Sequence, residues 1–333
     1  MPPSGTESDD AEEVVADAEW RDLRVSADFH GERIDRALAS MVPELSRSYL
    51  QQLLESGLVS INTLTATKAS QRVKAGDSLI VEIRPTQQSQ AFKPQAMALN
   101  VVFQDNHLLV IDKPVGMVVH PAPGNWSGTL LNGLLAMDGN CATLPRAGIV
   151  HRLDKDTSGL MVVARSRAAM DALVRAIAAR DVSRQYLALA HRPWTGPVNQ
   201  SIVAPIGRDP RNRLRMATVD LDKTHGKSAQ TDVILLENSR VGCFVHCILH
   251  TGRTHQIRVH MASVGHPLVG DSVYGGASID GMCRQALHAF RLAFHHPITA
   301  QSLHFESPLP DDFRALLETW GLRYNPPNGP DKA

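Results

Sequence analysis

Five charged or ionisable residues stand close together in the middle of the sequence, directly before an apolar run at 160–164 that predicts a buried strand. The five are His151, Arg152, Asp154, Lys155 and Asp156. Folding tends to place such a cluster at a sheet edge, where polar side chains can meet a ligand. A carboxylate among cations stays ionised, because neighbouring positive charge favours the charged form. An ionised, partly desolvated carboxylate can then act as a nucleophile or as a base.

A second polar group follows about a hundred residues later, around Arg258. Thr254 is predicted to cap a helix in which Ile257, Met261 and Val264 form the buried stripe. Arg258 lies one position off that stripe, in the first turn or two. It can therefore reach across a cleft while the helix stays packed.

Each of these residues also has a simpler structural interpretation. Aspartate is common in turns, so Asp154 alone could be a turn or capping residue. Tyr186 alone reads as a core residue of a strand, and Arg258 alone as a surface ion-pair partner. Residue type by itself does not separate these interpretations from catalytic ones.

Closely spaced histidines raise the question of a metal site. His246 and His250 fall in a predicted strand, whereas His255 and His260 fall in the predicted helix. No Asp or Glu lies between Arg240 and Pro267. We therefore predict that the protein holds no metal.

Several long motifs occur in one fixed order, and together they resemble the RluA-type pseudouridine synthases. The first is His-Arg-Leu-Asp-Lys-Asp-Thr-Ser-Gly-Leu at 151–160. It is followed by Ser-Arg-Gln-Tyr at 183–186, the Arg-rich stretch at 251–261, and the stretches at 266–275 and 285–288. The likeness spans about residues 30–320, so it is far more specific than a single short pattern.

The resemblance implies a role for individual residues. Asp154 would be the catalytic carboxylate, attacking the sugar–base unit or taking a proton from the ribose. Tyr186 would lie against the flipped-out uracil and help remove its C5 proton, while Arg258 would pair with Asp154. Arg152 would fill the space that the target base vacates. Further RNA contacts are expected at His151, Arg253, His255 and Gln256.

The chemistry of such a reaction is consistent with the sequence. Unstacking a base costs a few kcal/mol, and stacking on an aromatic ring returns about 1–3 kcal/mol. The reaction detaches uracil, turns it and rejoins it through carbon, which requires no oxidant or energy donor. We predict that no cofactor is needed, and the sequence contains neither a GxxxxGK[ST] phosphate loop nor a dinucleotide fingerprint.

The elements that must position these residues indicate an α+β fold. Short β-branched runs at 101–103, 108–111, 117–119 and 160–164 predict a sheet-rich domain. Ser166 is predicted to cap a helix with Met170, Leu173, Val174 and Ile177 on one face. We expect residues 98–325 to form the catalytic domain, with a mixed or antiparallel sheet and flanking helices.

A smaller α+β unit is predicted at residues 31–84, where two short helices precede short strands. Its arginines and the phrases at 31–36, 46–48 and 57–62 resemble the S4-type RNA-binding module, although Thr63 stands where that pattern expects glycine. We expect its RNA contacts at Arg33, Arg36 and Arg47. A generic small domain with surface arginines is the alternative. Residues 85–97 read as a linker.

The formal net charge of zero conceals an asymmetry, because residues 1–20 contain seven acids and no Lys or Arg. This segment is predicted to be a disordered acidic tail. The remaining chain is basic by seven charges, which suits a polyanionic partner. No apolar run could span a membrane and no secretion signal is evident, so we expect a cytoplasmic, monomeric protein without a membrane partner.

The sequence therefore predicts an isomerase that converts specific uridines of large-subunit ribosomal RNA to pseudouridine. Two alternatives stay open. One is a pseudouridine synthase acting on tRNA or another ribosomal site. The other is a non-catalytic RNA-binding protein of ribosome assembly.

Overall fold

The computed structural model describes residues 19–84, 91–212 and 215–324, which fall into two units with a boundary after residue 90. Most of the predicted acidic tail and part of the predicted linker lie outside the described residues. Within the described ranges, no helix is both long and apolar enough to cross a membrane.

The first unit packs two helices on an antiparallel four-stranded sheet whose order is β1-β4-β2-β3. A core of aliphatic residues, among them Ile34, Leu50 and Val81, joins the helices to the sheet. Its elements are β1 (Glu19–Arg24), α1 (Ile34–Met41), α2 (Arg47–Glu55), β2 (Val59–Ile61), β3 (Leu64–Thr65) and β4 (Ser78–Ile83).

Local signals in this unit are largely confirmed. The Ser46 hydroxyl accepts a hydrogen bond from the Tyr49 amide and caps α2. Asn62 and Thr63 both adopt left-handed backbone angles between β2 and β3, so the tight turn forms although Thr63 replaces the expected glycine. Strand β1 was not predicted, and it places Glu19 and Trp20 in the sheet rather than in the tail. Its residues are polar and mostly exposed, so the sequence shows no strand pattern there. The segment is a strand because it pairs with β4.

The second unit is built on a nine-stranded mixed sheet of order β5-β6-β7-β15-β8-β14-β13-β9, with β16 added beside β15. All pairs are antiparallel except β7 with β15. The strands are β5 (Val101–Gln104), β6 (Leu108–Lys113), β7 (Ser158–Ala164), β8 (Ser183–His191), β9 (Asn199–Val203), β13 (Gln230–Asn238), β14 (Gly242–Leu249), β15 (Leu287–His295) and β16 (Ser302–Glu306).

In the described part of this unit, five α-helices and a small three-stranded sheet accompany the large sheet. The helices are α3 (Leu130–Met137), α4 (Gly139–Ala142), α5 (Arg167–Ala179), α6 (Gln256–Ser263) and α7 (Asp311–Thr319). The small sheet has the order β11-β10-β12, with β10 (Ile206–Arg208), β11 (Met216–Thr218) and β12 (Gly226–Lys227). The predicted α+β class with a mixed sheet is confirmed.

Helices cover both faces of the central strands, so these strands are buried throughout. In β8, Tyr186, Ala188 and Ala190 face the core that contains α6, whereas Leu187 and Leu189 face the core under α7. This alternation has the period of two that a strand requires. It places Tyr186 on the same side of the sheet as α6.

One prediction for this unit is wrong in detail. Residues 117–119 form no strand, because the Val118 and Val119 carbonyls instead accept hydrogen bonds from the first amides of α3. The C-terminal part of the predicted linker is also anchored. Asn132 donates to the carbonyls of Ala91 and Lys93, and its own carbonyl accepts from the Gln95 amide.

Candidate active site

A buried lysine at the end of β6 binds the polar loop that carries Asp154 and leads into β7. Lys113 Nζ donates to the carbonyls of Pro114, Met117 and Lys155, at 2.9, 3.1 and 3.0 Å. Burial lowers the pKa of Lys113 to about 8, although attraction to Asp156 and Asp154 opposes this shift. The lysine therefore ties two loops together, a role that sequence analysis missed.

Asp154 is joined to α6 through Arg258. Arg258 Nη1 donates to Asp154 Oδ2 at 3.0 Å, across 104 positions of sequence. The same guanidinium donates through Nε and Nη2 to both oxygens of Asp271, at 2.7 and 2.8 Å. Burial alone would lower the pKa of Arg258, but its bonds to Asp271 and Asp154 outweigh burial and raise it. Arg258 therefore remains a fixed cation that orients Asp154.

Asp271 is a second residue of this site to which the sequence analysis gave no role. Its side chain is 1% exposed, and its paired oxygens fix the plane of the guanidinium. Bidentate pairing of this kind restricts geometry as well as contributing energy. The available signal was its place in the motif at 266–275, although that motif did not reveal its partner.

Helix α6 begins at Gln256, one residue later than a cap at Thr254 would give, so that capping prediction is wrong. The residue before the helix, His255, adopts a left-handed backbone conformation with φ 57°. The Gln256 side chain accepts from the Arg253 amide and the Thr251 hydroxyl, and donates to the Gln230 carbonyl. Its amide is thus engaged within the protein, and an RNA contact by Gln256 stays a prediction.

The imidazole ring of His255 lies beside the Asp154 carboxylate. Its Nδ1 lies 2.8 Å from the Tyr274 hydroxyl oxygen, and its Nε2 lies 3.9 Å from Asp154 Oδ1. Burial lowers the pKa of His255, with Asp154 opposing the shift. The Tyr274 ring also lies under Arg258, at 5.0 Å from the guanidinium carbon. Asp154, Arg258, His255 and Tyr274 thus form one contiguous group.

Tyr186 and His151 line the same cavity. Burial raises the pKa of Tyr186 to about 12, so its hydroxyl stays protonated at neutral pH. Burial also lowers the pKa of His151 to about 3, and nearby Arg184 adds to that effect. Because His151 Nε2 accepts a hydrogen bond from the Val162 amide, the proton of the neutral ring lies on Nδ1.

The cavity around these residues has a volume of about 660 Å³. Such a volume falls within the usual range of small-molecule sites. In the described part of the chain, a single carboxylate, Asp154, lines it together with Arg146, Arg152, Arg180, Arg184, Arg253 and Arg258. An anionic ligand with one uncharged group next to Asp154 suits this distribution of charge.

The structure brings most of the predicted site residues into this cavity. Asp154, Tyr186 and Arg258 lie there with the predicted RNA contacts of this unit, which are His151, Arg152, Arg253, His255 and Gln256. The remaining predicted contacts belong to the first unit. There the fully buried Asp35 accepts from Arg33 at 3.0 Å and from Arg47 at 2.6 Å, while Arg36 is exposed.

The histidines considered for a metal are spread over different partners. His246 bonds to Gln185, His250 to Asp232, and His260 to Thr231 and the Ala204 carbonyl. Among the residues that the structure describes, no group of three His, Cys, Asp or Glu side chains is arranged to hold a metal ion.

Comparisons with known proteins identify the family. A family described as RNA pseudouridylate synthase matches residues 107–263, and the S4 domain matches residues 32–79. A ribosomal large subunit pseudouridine synthase D of Nitrosomonas europaea is 47% identical over 89% of this chain and 87% of its own. A protein of the same name from Neisseria meningitidis is 44% identical over 90% of this chain and 82% of its own.

A solved structure agrees with these relatives. Human RNA Pseudouridylate Synthase Domain Containing 1 is 28% identical, with a TM-score of 0.50 over 66% of this chain and 86% of that one. The chain belongs to the RNA pseudouridylate synthase family. It is accordingly an isomerase that acts on RNA, with an S4 domain in its first unit, as the motifs predicted.

Proposed function

We propose that this protein converts uridines of large-subunit ribosomal RNA to pseudouridine, with Asp154 as the catalytic carboxylate. The observation that carries the proposal is the bond from Arg258 Nη1 to Asp154 Oδ2 in a cavity that Tyr186 also lines. The ribosomal target rests on the names of the bacterial relatives.

Binding requires the target uridine to leave its stack. Arg152 is exposed and lines the cavity beside Asp154, so its side chain is free to enter the space that the base vacates. Tyr186 offers a ring on which the everted uracil stacks. Together these contacts offset an unstacking cost of a few kcal/mol.

The reaction then proceeds on the ribose and the base. Asp154 either bonds to C1′ or removes a proton from the ribose, and in both cases the glycosidic C1′–N1 bond breaks. Uracil turns and C5 bonds to C1′ as the bond from Asp154 to C1′ breaks or as the ribose regains its proton. C5 then loses its proton and N1 gains one. Arg258 orients the Asp154 carboxyl group for this step through the hydrogen bond from Nη1 to Oδ2.

Tyr186 has a second possible use in the last step. Tyr186 lines the cavity, and burial raises the pKa of its hydroxyl to about 12. A proton taken from C5 by this oxygen therefore requires that the hydroxyl pass its own proton onward. The proton transfer depends on the hydroxyl and the stacking contact depends on the ring, so different substitutions of Tyr186 separate the two roles.

The first unit contributes affinity for RNA in this proposal. Burial alone would raise the pKa of Asp35, but hydrogen bonds from Arg33, Arg47 and Gln51 outweigh burial and lower it. Asp35 is therefore a charged anchor that orients two half-exposed guanidinium groups. With the exposed Arg36, these groups are placed to meet phosphates. We further propose that the protein acts as a monomer in the cytoplasm, and light scattering on the purified protein tests the oligomeric state.

A tritium-release assay tests the function. RNA labelled at uracil C5 loses tritium to water only when C5 becomes the glycosidic carbon. We expect release from large-subunit ribosomal RNA with the wild-type protein and none with Asp154→Asn. Asp156→Asn is the matched control, since it removes the same charge from the same loop, and it should keep most of the activity.

Two outcomes would change the proposal. Absence of release from every cellular RNA that the protein binds would defeat the assignment of Asp154 to this reaction. Release from tRNA alone would preserve the chemistry and replace the ribosomal target. Mapping pseudouridines in cells that lack the protein then identifies the modified positions.

A further inference from the structure

Arg184 is a buried arginine for which the reaction described above has no use. It lies on β8, is 6% exposed and lines the cavity. Within residues 19–84, 91–212 and 215–324, no carboxylate forms an ion pair with it, and its buried Nε has no hydrogen-bond partner. Arginine cannot lose its proton in a protein, so this charge persists without a counterion.

The position of Arg184 relative to the base is fixed by the strand. Residues two apart on a strand point to the same face and are separated by about 6–7 Å. Arg184 therefore lies beside Tyr186, the residue on whose ring we propose that the uracil stacks. It is close enough to lower the pKa of the neighbouring His151.

The loop after β14 closes over the guanidinium. Gly252 packs so closely that a Cβ at that position would lie 2.7 Å from Arg184 Nη1. Arg180 and Arg253 line the same cavity, whereas Asp154 is its single carboxylate in the described chain. The surroundings thus favour an anion at Arg184.

We infer that Arg184 is a binding residue for the backbone phosphate of the everted uridine. This assignment rests on the proposed function for the identity of the nucleotide. An unpaired guanidinium in a partly desolvated site gains most from a ligand that brings a full negative charge, and its planar donors match phosphate oxygens. The uracil carbonyls carry only partial charge and are placed against Tyr186 instead.

A comparison of two small ligands tests this inference without any turnover. Uridine 5′-monophosphate and uridine share the base and ribose and differ only in the phosphate. We expect the full-length wild-type protein to bind the monophosphate about tenfold more tightly at low salt. Arg184→Met should remove this preference while leaving the affinity for uridine unchanged. Arg175→Met, on an exposed arginine of α5 outside the cavity, should keep the preference.

Binding of RNA provides a second measurement. The logarithm of the association constant falls with the logarithm of the salt concentration by about 0.7–0.9 for each phosphate that a protein neutralises. Arg184→Met should therefore reduce the slope measured with a large-subunit ribosomal RNA transcript by about that amount. Arg184→Lys, which retains the charge, should largely restore it.

Several results would overturn the inference. Equal affinity of the wild type for the two ligands would exclude a phosphate site, and an equal loss of both in Arg184→Met would indicate packing or a uracil contact. Should Arg184→Met fail to fold, the wild type still decides. The buried Nε–H exchanges slowly with water, so its NMR signal should shift with the monophosphate and not with uridine.

The proposed function fails independently of this inference. A phosphate preference that depends on Arg184, in a protein that releases no tritium from any RNA, would retain the phosphate site and defeat only the catalytic proposal.

Discussion

Arg258 serves two carboxylates at once, and the buried one determines how precisely the other is held. Asp271 fixes Nε and Nη2 of the guanidinium, which leaves Nη1 directed at Asp154. Removing a partner from a buried ion pair leaves an uncompensated charge and costs about 3–5 kcal/mol. The orientation of the catalytic carboxylate should therefore depend on a residue that does not contact the substrate.

Asp271→Asn tests this dependence. One bond to Arg258 survives through the amide oxygen, while the amide nitrogen faces a donor, so the guanidinium loses its fixed plane. We expect kcat to fall by about ten- to a hundredfold with little change in KM, as initial rates of tritium release at varied RNA concentration would measure. A purely structural role would instead lower the folded fraction and leave kcat per folded molecule unchanged, and thermal unfolding of the same sample distinguishes these results.

Tyr186→Phe separates the two proposed uses of the tyrosine. The ring remains, so RNA affinity should stay within about twofold of the wild type. Proton transfer by a positioned group contributes about 10²–10⁴-fold to a rate, and loss of the hydroxyl should slow tritium release by about a hundredfold. Tyr186→Leu, which removes the ring, should weaken RNA binding as well. Full activity of the phenylalanine variant would assign the proton transfer to another group.

The sequence was most informative for residues whose motif is continuous. Asp154, Tyr186 and Arg258 were identified because each lies in a long ordered motif, and the structure places them around one cavity. Lys113, Arg184 and Asp271 were missed. The roles of Lys113 and Asp271 depend on partners distant in sequence, and that of Arg184 on a buried Nε without a partner in the described chain. A single sequence does not show which distant side chains meet.

At the scale of elements, a close approach of two strands shapes the site. Gly159 of β7 pairs with Ala289 of β15 in the parallel pair of the sheet, and its φ is +112°. A Cβ on Gly159 would collide with the Ala289 carbonyl. The loop that carries Asp154 ends directly before Gly159. The close approach of the two strands therefore fixes the position of the C-terminal end of this loop.

Gly159→Ala should consequently destabilise the protein strongly. The side chain has neither space nor an allowed backbone conformation, and we expect a loss of at least about 3 kcal/mol in the free energy of unfolding. Urea denaturation measures it. Gly139→Ala is the control, because Gly139 begins α4 with an ordinary φ and open space around it, and it should change stability by less than about 1 kcal/mol.

Elements with strong local signals were predicted well, and elements that depend on distant partners were not. Ser46 and Ser166 cap helices as expected, because capping is decided within four residues. The run at 117–119 has the composition of a strand but finds its hydrogen-bond partners at the start of α3. Strand β1 shows the converse, since β4 makes it a strand despite its polar residues.

For the molecule as a whole, a buried neutral histidine makes stability depend on pH. His288 is 1% exposed, and burial lowers its pKa to about 4 although its Nδ1 lies 3.0 Å from the Ser158 hydroxyl. In the unfolded chain the ring titrates near 6.5. Below that pH the unfolded state binds more protons, so the free energy of unfolding decreases as pH falls from about 6.5 towards 4.

This residue should account for about 2 kcal/mol of lost stability between pH 7.5 and pH 5.0. The low pKa of His151 acts in the same direction. Urea denaturation at the two pH values should show a smaller difference for His288→Gln, by about that amount. His295→Gln, at an exposed position, should match the wild type. An unchanged pH dependence in His288→Gln would mean that the pKa of this ring is the same in the folded and unfolded states.

The uneven distribution of charge leads to the last prediction. Residues 1–18, which lie outside the described residues, contain six acids and no Lys or Arg, so the rest of the chain is basic by six charges. If these acids compete with RNA for the basic surface, deleting residues 1–18 should tighten binding of a ribosomal RNA transcript about threefold at 50 mM salt. The effect should vanish near 300 mM, because salt screens exposed charges.

A variant of full length with the six acids replaced by Gln or Asn should behave like the deletion, since charge rather than chain length is responsible. Equal affinity of wild type and both variants at low salt would show that the acidic segment does not compete with RNA.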